Sequence, residues 1–410
     1  MAETIHTLVI GGGQAGVAAS THLQKQGVAH VVLERSRIAE RWRSERWDNL
    51  VANGPAWHDR FPDATFDDLD PEEFATKERI AEYFETFAKD RKLPIRTGVT
   101  VTKLECLGSG FRATTSAGVI EAENVIVATG PFQKPLIPTV VTDPGITQMH
   151  SNGYKNPDAL PAGAVLVVGA GASGSQIAEE LVRAGRRVYI SIGPHDRPPR
   201  RYRGKDFVWW LGNLGKWNAK APDPGTEHIT IAVSGAYGGH TMDFRRLAAQ
   251  GITLLGRAGA YADGVLQFAP DLTTNIENGD RNYLSVLEEA DAYAKAQGLD
   301  LPEEREAHVL GPLPDCVTNP TLSLNLKEAG ISAIIWATGF KPDFGWIEID
   351  LFCEDGRPRH KDGVSEIPGL YFVGLPWLSC RGSAFIWGAW KDAERLAGLI
   401  AAPGQAASPS

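Results

Sequence analysis

Two glycine turns carry the chemistry open to this chain. The first is Gly11-Gly12-Gly13-Gln14-Ala15-Gly16, in which Gly11, Gly13 and Gly16 keep a G-x-G-x-x-G spacing. An apolar run, Thr7-Leu8-Val9-Ile10, precedes it, and a stretch with Val17, Ala18 and Leu23 on one helical face follows as far as Gly27. A second apolar run, His30-Val31-Val32-Leu33, then delivers Glu34 beside Arg35. Each position has a mechanical use. Gly11 allows a tight turn, Gly13 lets backbone approach a pyrophosphate, Gly16 lets helix and strand pack closely, and Glu34 accepts hydrogen bonds from a ribose diol. The helix start at Gln14 and Ala15 offers free N–H groups and a partial positive charge to the pyrophosphate.

The plan then repeats. Ala164 to Val168 reads as a strand, Gly169-Ala170-Gly171-Ala172-Ser173-Gly174 restates the motif, and a helical face of Ile177, Ala178, Leu181 and Val182 runs to Gly185. Each unit closes on a strand ending in Ala-Thr-Gly, Ala128-Thr129-Gly130 in the first and Ala337-Thr338-Gly339 in the second. Two such units in one chain imply two dinucleotides with electrons passing between them. The extreme N-terminal site with its ribose acid suits FAD. The second strand, Val188 to Ile190, ends in Ser191 instead of an acid, and Arg197, Arg200 and Arg201 follow. An acid would repel a 2′-phosphate, whereas serine and arginine would bind it, so the expected second cofactor is NADPH.

These motifs resemble the flavin-containing monooxygenases with two dinucleotide-binding domains, a group that includes plant-type indole-3-pyruvate monooxygenases and bacterial relatives. Arg41-Trp42-Arg43 is similar to the W-R that follows the family's ribose acid, and Asn53 matches an asparagine beside the flavin and NADP. Phe61-Pro62-Asp63 resembles the following F-P-x-x-F-P region, and Thr100-Val101 matches a segment whose backbone meets the FAD adenine. The fingerprint F-x-G-x-x-x-H-x-x-x-[FWY] is only partly kept: Gly145, His150 and Tyr154 hold its order, with one extra residue between Gly and His and no Phe. The strand that ends at Gly374-Leu375 lacks the acid many flavoproteins use on the ribityl chain. The resemblance implies hydride transfer from NADPH to FAD, uptake of O2 as a C4a-hydroperoxyflavin, and oxygenation of a small nitrogen-, sulfur- or keto-acid-containing aromatic substrate. Asn53 would hydrogen-bond near the hydroperoxide and nicotinamide. The alternative is an oxidase-like flavoenzyme that releases peroxide or oxidises hydroxylamine-type nitrogen.

The elements that must position these residues are those of an α/β protein. The expectation is two Rossmann-like dinucleotide-binding domains, FAD and NADPH, the second inserted into the first. Their bounds are 1–145 and 326–402 for the FAD domain and 146–325 for the NADPH domain, with a disordered tail at 403–410. Helices are expected from Thr76 to Arg91, from Tyr283 to Ala296 and from Ala384 to about Leu399, the last aiming its N-terminus at the flavin. Alternation from Ile95 to about Glu123, with turns at Ser109-Gly110 and Ala117-Gly118, predicts hairpins. The second unit is the longer one, through an aromatic-rich insertion at about 194–320. Its Trp209, Trp210 and Trp217, with Trp387 near the C-terminus, are candidate substrate contacts, and core packing is the other reading for them.

Composition narrows the rest. At 410 residues, 43% hydrophobic and 22% charged, the chain has the make-up of a multidomain globular enzyme. A net charge of −9 without a basic run argues against a nucleic-acid partner. No apolar stretch approaches a membrane span, and the first strand begins too soon for a signal peptide. Cys106, Cys316, Cys353 and Cys380 are far apart, which removes dithiol–disulfide chemistry and suggests a reducing cytoplasm. The histidines show no ligand spacing, so no metal is expected. The expected partners are a small-molecule substrate and O2, and a homodimer stays open.

Overall fold

The computed structural model describes residues 2–221 and 229–402; the tail expected at 403–410 lies outside the described residues. Two parallel sheets organise them. In the first, Leu370–Phe372, Gly118–Val127, Glu3–Ile10, His30–Glu34 and Ile95–Thr97 lie side by side, all parallel. The hairpin Val101–Cys106 with Phe111–Thr115 extends this sheet from Gly118–Val127. In the second, Thr253–Leu255, Val188–Ser191, Ala164–Val168, Ile331–Trp336 and Thr147–His150 run parallel in that order. The chain therefore leaves the first sheet after Val127, builds the second, and returns after Trp336. Where it crosses, Lys134–Pro135 pairs with Phe340–Lys341, so the two connections form a ribbon.

Strands buried on both faces explain the apolar runs of the sequence. Val9, Val32 and Ile126 point into a core shared with the helices Gln14–Lys25 and Ile386–Ala401, while Leu8, Ile10, Val31, Leu33, Val125 and Val127 fill the opposite face. The second sheet does the same: Val165, Val167, Ile190 and Ile335 face one core, and Leu166, Val168, Ile334 and Trp336 face the other.

Three expected helices form, with changed limits. Lys77–Asp90 is N-capped by Thr76, whose hydroxyl accepts from the Arg79 N–H at 3.3 Å. The C-terminal helix is Ile386–Ala401, entered through a short turn at Arg381–Ala384. The insertion helix starts eleven residues before the expected Tyr283, at Leu272, and ends at Ala296. Its first half is polar and holds Gly279, so no apolar period announces it. Tertiary contacts hold it there: a Cβ at Gly279 would lie 2.6 Å from His195 Nε2, and Asp280 takes ion pairs from Arg197 and Arg245. Among the described residues no helix is long and apolar enough to cross a membrane.

Candidate cofactor and substrate site

The first glycine turn is a socket built by steric exclusion. Gly11 takes φ +111°, and a Cβ there would lie 2.7 Å from the Ala128 carbonyl oxygen. A Cβ on Gly16 would lie 1.8 Å from the Gly11 carbonyl oxygen. At Gly13 nothing lies within 4 Å of that position, so this face of the turn is open to a ligand. Glu34, at the end of its strand, is fixed by two backbone donors: Oε2 accepts from Gly12 N–H at 2.6 Å and Oε1 from Ser36 N–H at 2.8 Å.

A cavity of about 500 Å³ opens from this turn. Gly11, Gly13, Gln14 and Ala15 line it, as do Glu34 and Arg35. Arg41 and Trp42, Val101, Ala128, Thr129 and Gly130, and Gly374 with Ala384 also line it. Gly16 is buried behind the turn, where its role is packing. Gln14 ties the ends of the chain together here, its Nε2 donating to the Ala384 carbonyl at 2.8 Å. Arg46 also lines the cavity, stacked 4.9 Å over Phe132, and burial pushes its guanidinium down to about 10, so it stays charged at neutral pH. The lining fits a dinucleotide: open backbone at Gly13 for a pyrophosphate and a held acid at Glu34 for a ribose.

The second glycine turn repeats the contacts of the first. A Cβ on Gly169 would lie 2.4 Å from the Ala337 carbonyl oxygen, and one on Gly174 would lie 1.9 Å from that of Gly169. Ala172 and Ser173 open the helix Ala172–Arg183 above it. Gly171 is not bare, however, because Thr230 Cβ lies 3.1 Å from where its Cβ would be. Thr338 donates its hydroxyl to the Leu136 carbonyl, and Gly339 offers its carbonyl to His150 Nε2 at 2.9 Å. Burial lowers the His150 pKa below the ordinary histidine range.

The residues chosen for a 2′-phosphate do not meet at a phosphate site. Ser191 is buried, donating to the Gly256 carbonyl at 2.9 Å and accepting from Ala258 N–H at 3.0 Å. Arg197 is 2% exposed and pairs with Asp280 at 2.6 Å. Arg200 is equally enclosed, paired with Asp206 at 2.5 Å and donating to the Asn53 carbonyl at 2.6 Å. Their clustering in sequence reflects buried ion pairs, since a charge inside a protein requires a partner. Arg201 alone stays at the surface, 3.7 Å from Glu72.

Two of the candidate substrate tryptophans, Trp210 and Trp217, are likewise buried in core clusters. Trp210 is fully buried among Tyr202, Leu287, Ala290 and Ala294, its indole N–H donating to the Tyr202 carbonyl at 2.9 Å. Trp209 packs edge-on against it at 4.8 Å. They give the insertion a small core of its own. Trp387 is placed differently: it follows Ala384 and stands 5.9 Å from His58 and 5.6 Å from Trp217.

Asn53 lies where the two halves meet. Its Oδ1 accepts from Gln176 Nε2 at 2.9 Å, leaving its amide nitrogen without a partner among the described residues. Gln176, on the second glycine helix, also donates to the Val233 carbonyl at 2.6 Å. Beside it on the same helix, buried Glu180 accepts from Asn49 at 2.6 Å and from Tyr154 at 2.9 Å. Burial raises the Glu180 pKa. Gln176 is a functional candidate that sequence reasoning passed over, and its signal is spatial, because it gains a role only through a loop from the other half of the molecule.

Known proteins agree with this geometry. The uncharacterized oxidoreductase CzcO-like of Geobacillus kaustophilus is 32% identical over 97% of this chain and 98% of its own length. A probable indole-3-pyruvate monooxygenase of Arabidopsis thaliana is 31% identical over 96% of this chain and 89% of its own. The chain belongs to the flavin-containing monooxygenase family. It is a flavin-dependent oxidoreductase, and membership brings a flavin cofactor and use of a pyridine nucleotide. Residues 8–205 also match the family model described as pyridine nucleotide-disulphide oxidoreductase. The solved flavin-containing monooxygenase of Stenotrophomonas maltophilia shares the fold at a TM-score of 0.67 and 17% identity, over 97% of this chain and 98% of that one.

Proposed function

We propose that the protein is an NADPH- and O2-dependent monooxygenase with FAD in the first cradle, NADPH at the second, and the NADPH domain inserted into the FAD domain. It oxygenates a small nitrogen-, sulfur- or keto-acid-containing aromatic substrate. The single observation that supports this reading is Asn53, whose side-chain oxygen is held by Gln176 of the second glycine helix and whose carbonyl is held by Arg200, with its amide N–H free among the described residues. A flavin in the first cavity supplies hydride acceptance and O2 activation. The chain supplies the rest. Gly13 and the helix start bind the pyrophosphate, and Glu34 holds the ribose. Gln176 holds the Asn53 side-chain oxygen and leaves the amide N–H available. Trp42 and Phe132 line the cavity and give it apolar wall. NADPH is preferred to NADH because Ser191 leaves no carboxylate to repel a 2′-phosphate; the buried arginines take no part in that choice.

An isotope experiment tests the proposal. With a panel of amines, thioethers, aromatic keto acids and hydroxylamines under 18O2, label should enter product in step with NADPH consumed. Asn53→Ala should leave flavin reduction by NADPH within about threefold of the parent, yet divert more than half of the reducing equivalents to hydrogen peroxide. Stoichiometric peroxide from the parent with every compound would make it an oxidase. Full coupling in the variant would remove Asn53 from the mechanism.

A further inference from the structure

The segment that follows Glu34 is dense in arginine, at positions 35, 37, 41, 43 and 46. Arg37 pairs with Glu40 at 2.7 Å, Arg41 with Glu45 at 3.1 Å and Arg43 with Glu85 at 2.5 Å. Arg35 is exposed, where water meets its charge. Arg46 has neither answer. It is half-buried and has no carboxylate partner among the described residues. Its guanidinium makes one hydrogen bond, from Nη1 to the carbonyl of neighbouring Glu45 at 2.9 Å. The Glu45 carboxylate, whose charge it feels, is already held by Arg41.

What surrounds Arg46 fixes where it faces. The guanidinium lies 4.9 Å from the centre of the Phe132 ring and 5.9 Å from that of Trp42, and all three residues line the cavity that opens from the first glycine turn. Two ring faces offset only a small part of what it costs to take a guanidinium out of water. A guanidinium also carries five N–H donors in a planar fork, and the Glu45 carbonyl occupies one of them. A charged fork on a cavity wall, without a carboxylate of its own, is matched by an anion from the ligand.

The chemistry of FAD leaves one group to meet it. Adenine, the ribose, the ribityl chain and the oxidised ring system are all neutral, so the diphosphate carries the charge of the resting cofactor. The ring pyrimidine becomes anionic only on reduction, and a cation held for that moment would stay uncompensated through the whole oxidised state. We propose that Arg46 is the side-chain partner of the FAD diphosphate, opposite the backbone donors at Gly13 and the helix start. Those donors bring position and a partial charge. Arg46 brings a full one, with Trp42 and Phe132 holding its plane.

The proposal rests on FAD in the first cradle and is independent of what the reduced flavin does with oxygen. The test is calorimetric titration of the full chain, stripped of flavin, with FAD and with riboflavin, which keeps the ring system and lacks the diphosphate. Arg46→Met keeps an apolar stem against Phe132 and removes the charge. It should raise the Kd for FAD about 10- to 100-fold and leave that for riboflavin within about threefold of the parent. Added salt should weaken FAD binding by the parent more than by the variant, and this comparison decides alone if riboflavin does not saturate. Arg46→Lys, which keeps the charge without the fork, should fall between the two and replaces Arg46→Met if that variant does not fold. Unchanged FAD affinity in the variant, or an equal loss for FAD and riboflavin, would overturn the assignment. So would a shifted flavin reduction potential at unchanged FAD affinity, which would put Arg46 at the ring. Protein that takes up no flavin at all would instead end the functional reading above.

Discussion

The two glycine cradles share a backbone and differ in what lies over it. In both, the first glycine sits against the carbonyl of the Ala-Thr-Gly strand, and the last sits against the carbonyl of the first. Gly13 then faces open space and a cavity of about 500 Å³, whereas Gly171 faces Thr230. Glu34 is presented to its cavity by two backbone N–H groups, while Ser191 spends its hydroxyl inside the fold. The difference matches two ways of holding a dinucleotide. A deep socket with a fixed acid suits a group that stays, and a shallower edge suits one that enters and leaves with each turnover.

The largest effect that could break this contrast comes from the glycines that admit no Cβ. Gly16→Ala forces a contact of 1.8 Å on the Gly11 carbonyl and should cost more than about 4 kcal/mol, yielding colourless protein. Gly174→Ala, with the same clash in the second cradle, should stay yellow yet no longer be reduced by NADPH. Equal loss of flavin from both variants, read from the absorbance at purification, would show that the cradles are not independent.

Next in size is the ion pair inside the second half. Asp280→Ala leaves Arg197 and Arg245 facing each other without a carboxylate and should cost about 3–5 kcal/mol in denaturant unfolding. The proposed preference for NADPH over NADH should not move. A swing of more than about tenfold toward NADH would put Arg197 back at the nucleotide.

The smallest change sharpens the comparison at its centre. Gly13→Ala adds a methyl group where the protein has room, so the flavin-free protein should melt as before while flavin affinity falls about 10- to 100-fold. That range corresponds to about 1.4–2.7 kcal/mol. Gly171→Ala meets Thr230 first, and its effect on the KM for NADPH should stay below about tenfold. The reverse order of effects would mean that the second cradle is the more open one.

How legible each feature was depended on whether it is local. The strands around Val9 and Val167 and the turns at Gly11 and Gly169 were readable because buried parallel strands and tight turns restrict residue type at adjacent positions. The apolar face of Lys77–Asp90 was readable for the same reason. Arg197 and Arg200 were misjudged because a cluster of arginines reads alike on a surface and in a buried ion pair; Asp280 and Asp206 decide which. Trp210 and Trp217 stayed open between two readings because aromatic residues suit a core and a pocket equally; both are buried. The helix from Leu272 was legible only in its second half, since Gly279 and Asp280 are held by His195, Arg197 and Arg245.

The amino-acid sequence by itself determined two dinucleotide cradles, their order, and the family to which the chain belongs. These follow from glycine spacing and apolar runs, which act over a few residues. Tertiary structure decided which arginines are buried, that Thr230 overlies Gly171, and that Gln176 grips Asn53. It also brought His58 beside Trp387, 329 residues away in the chain. Such pairings depend on burial and on partners from distant segments, and neither quantity exists until the chain has folded.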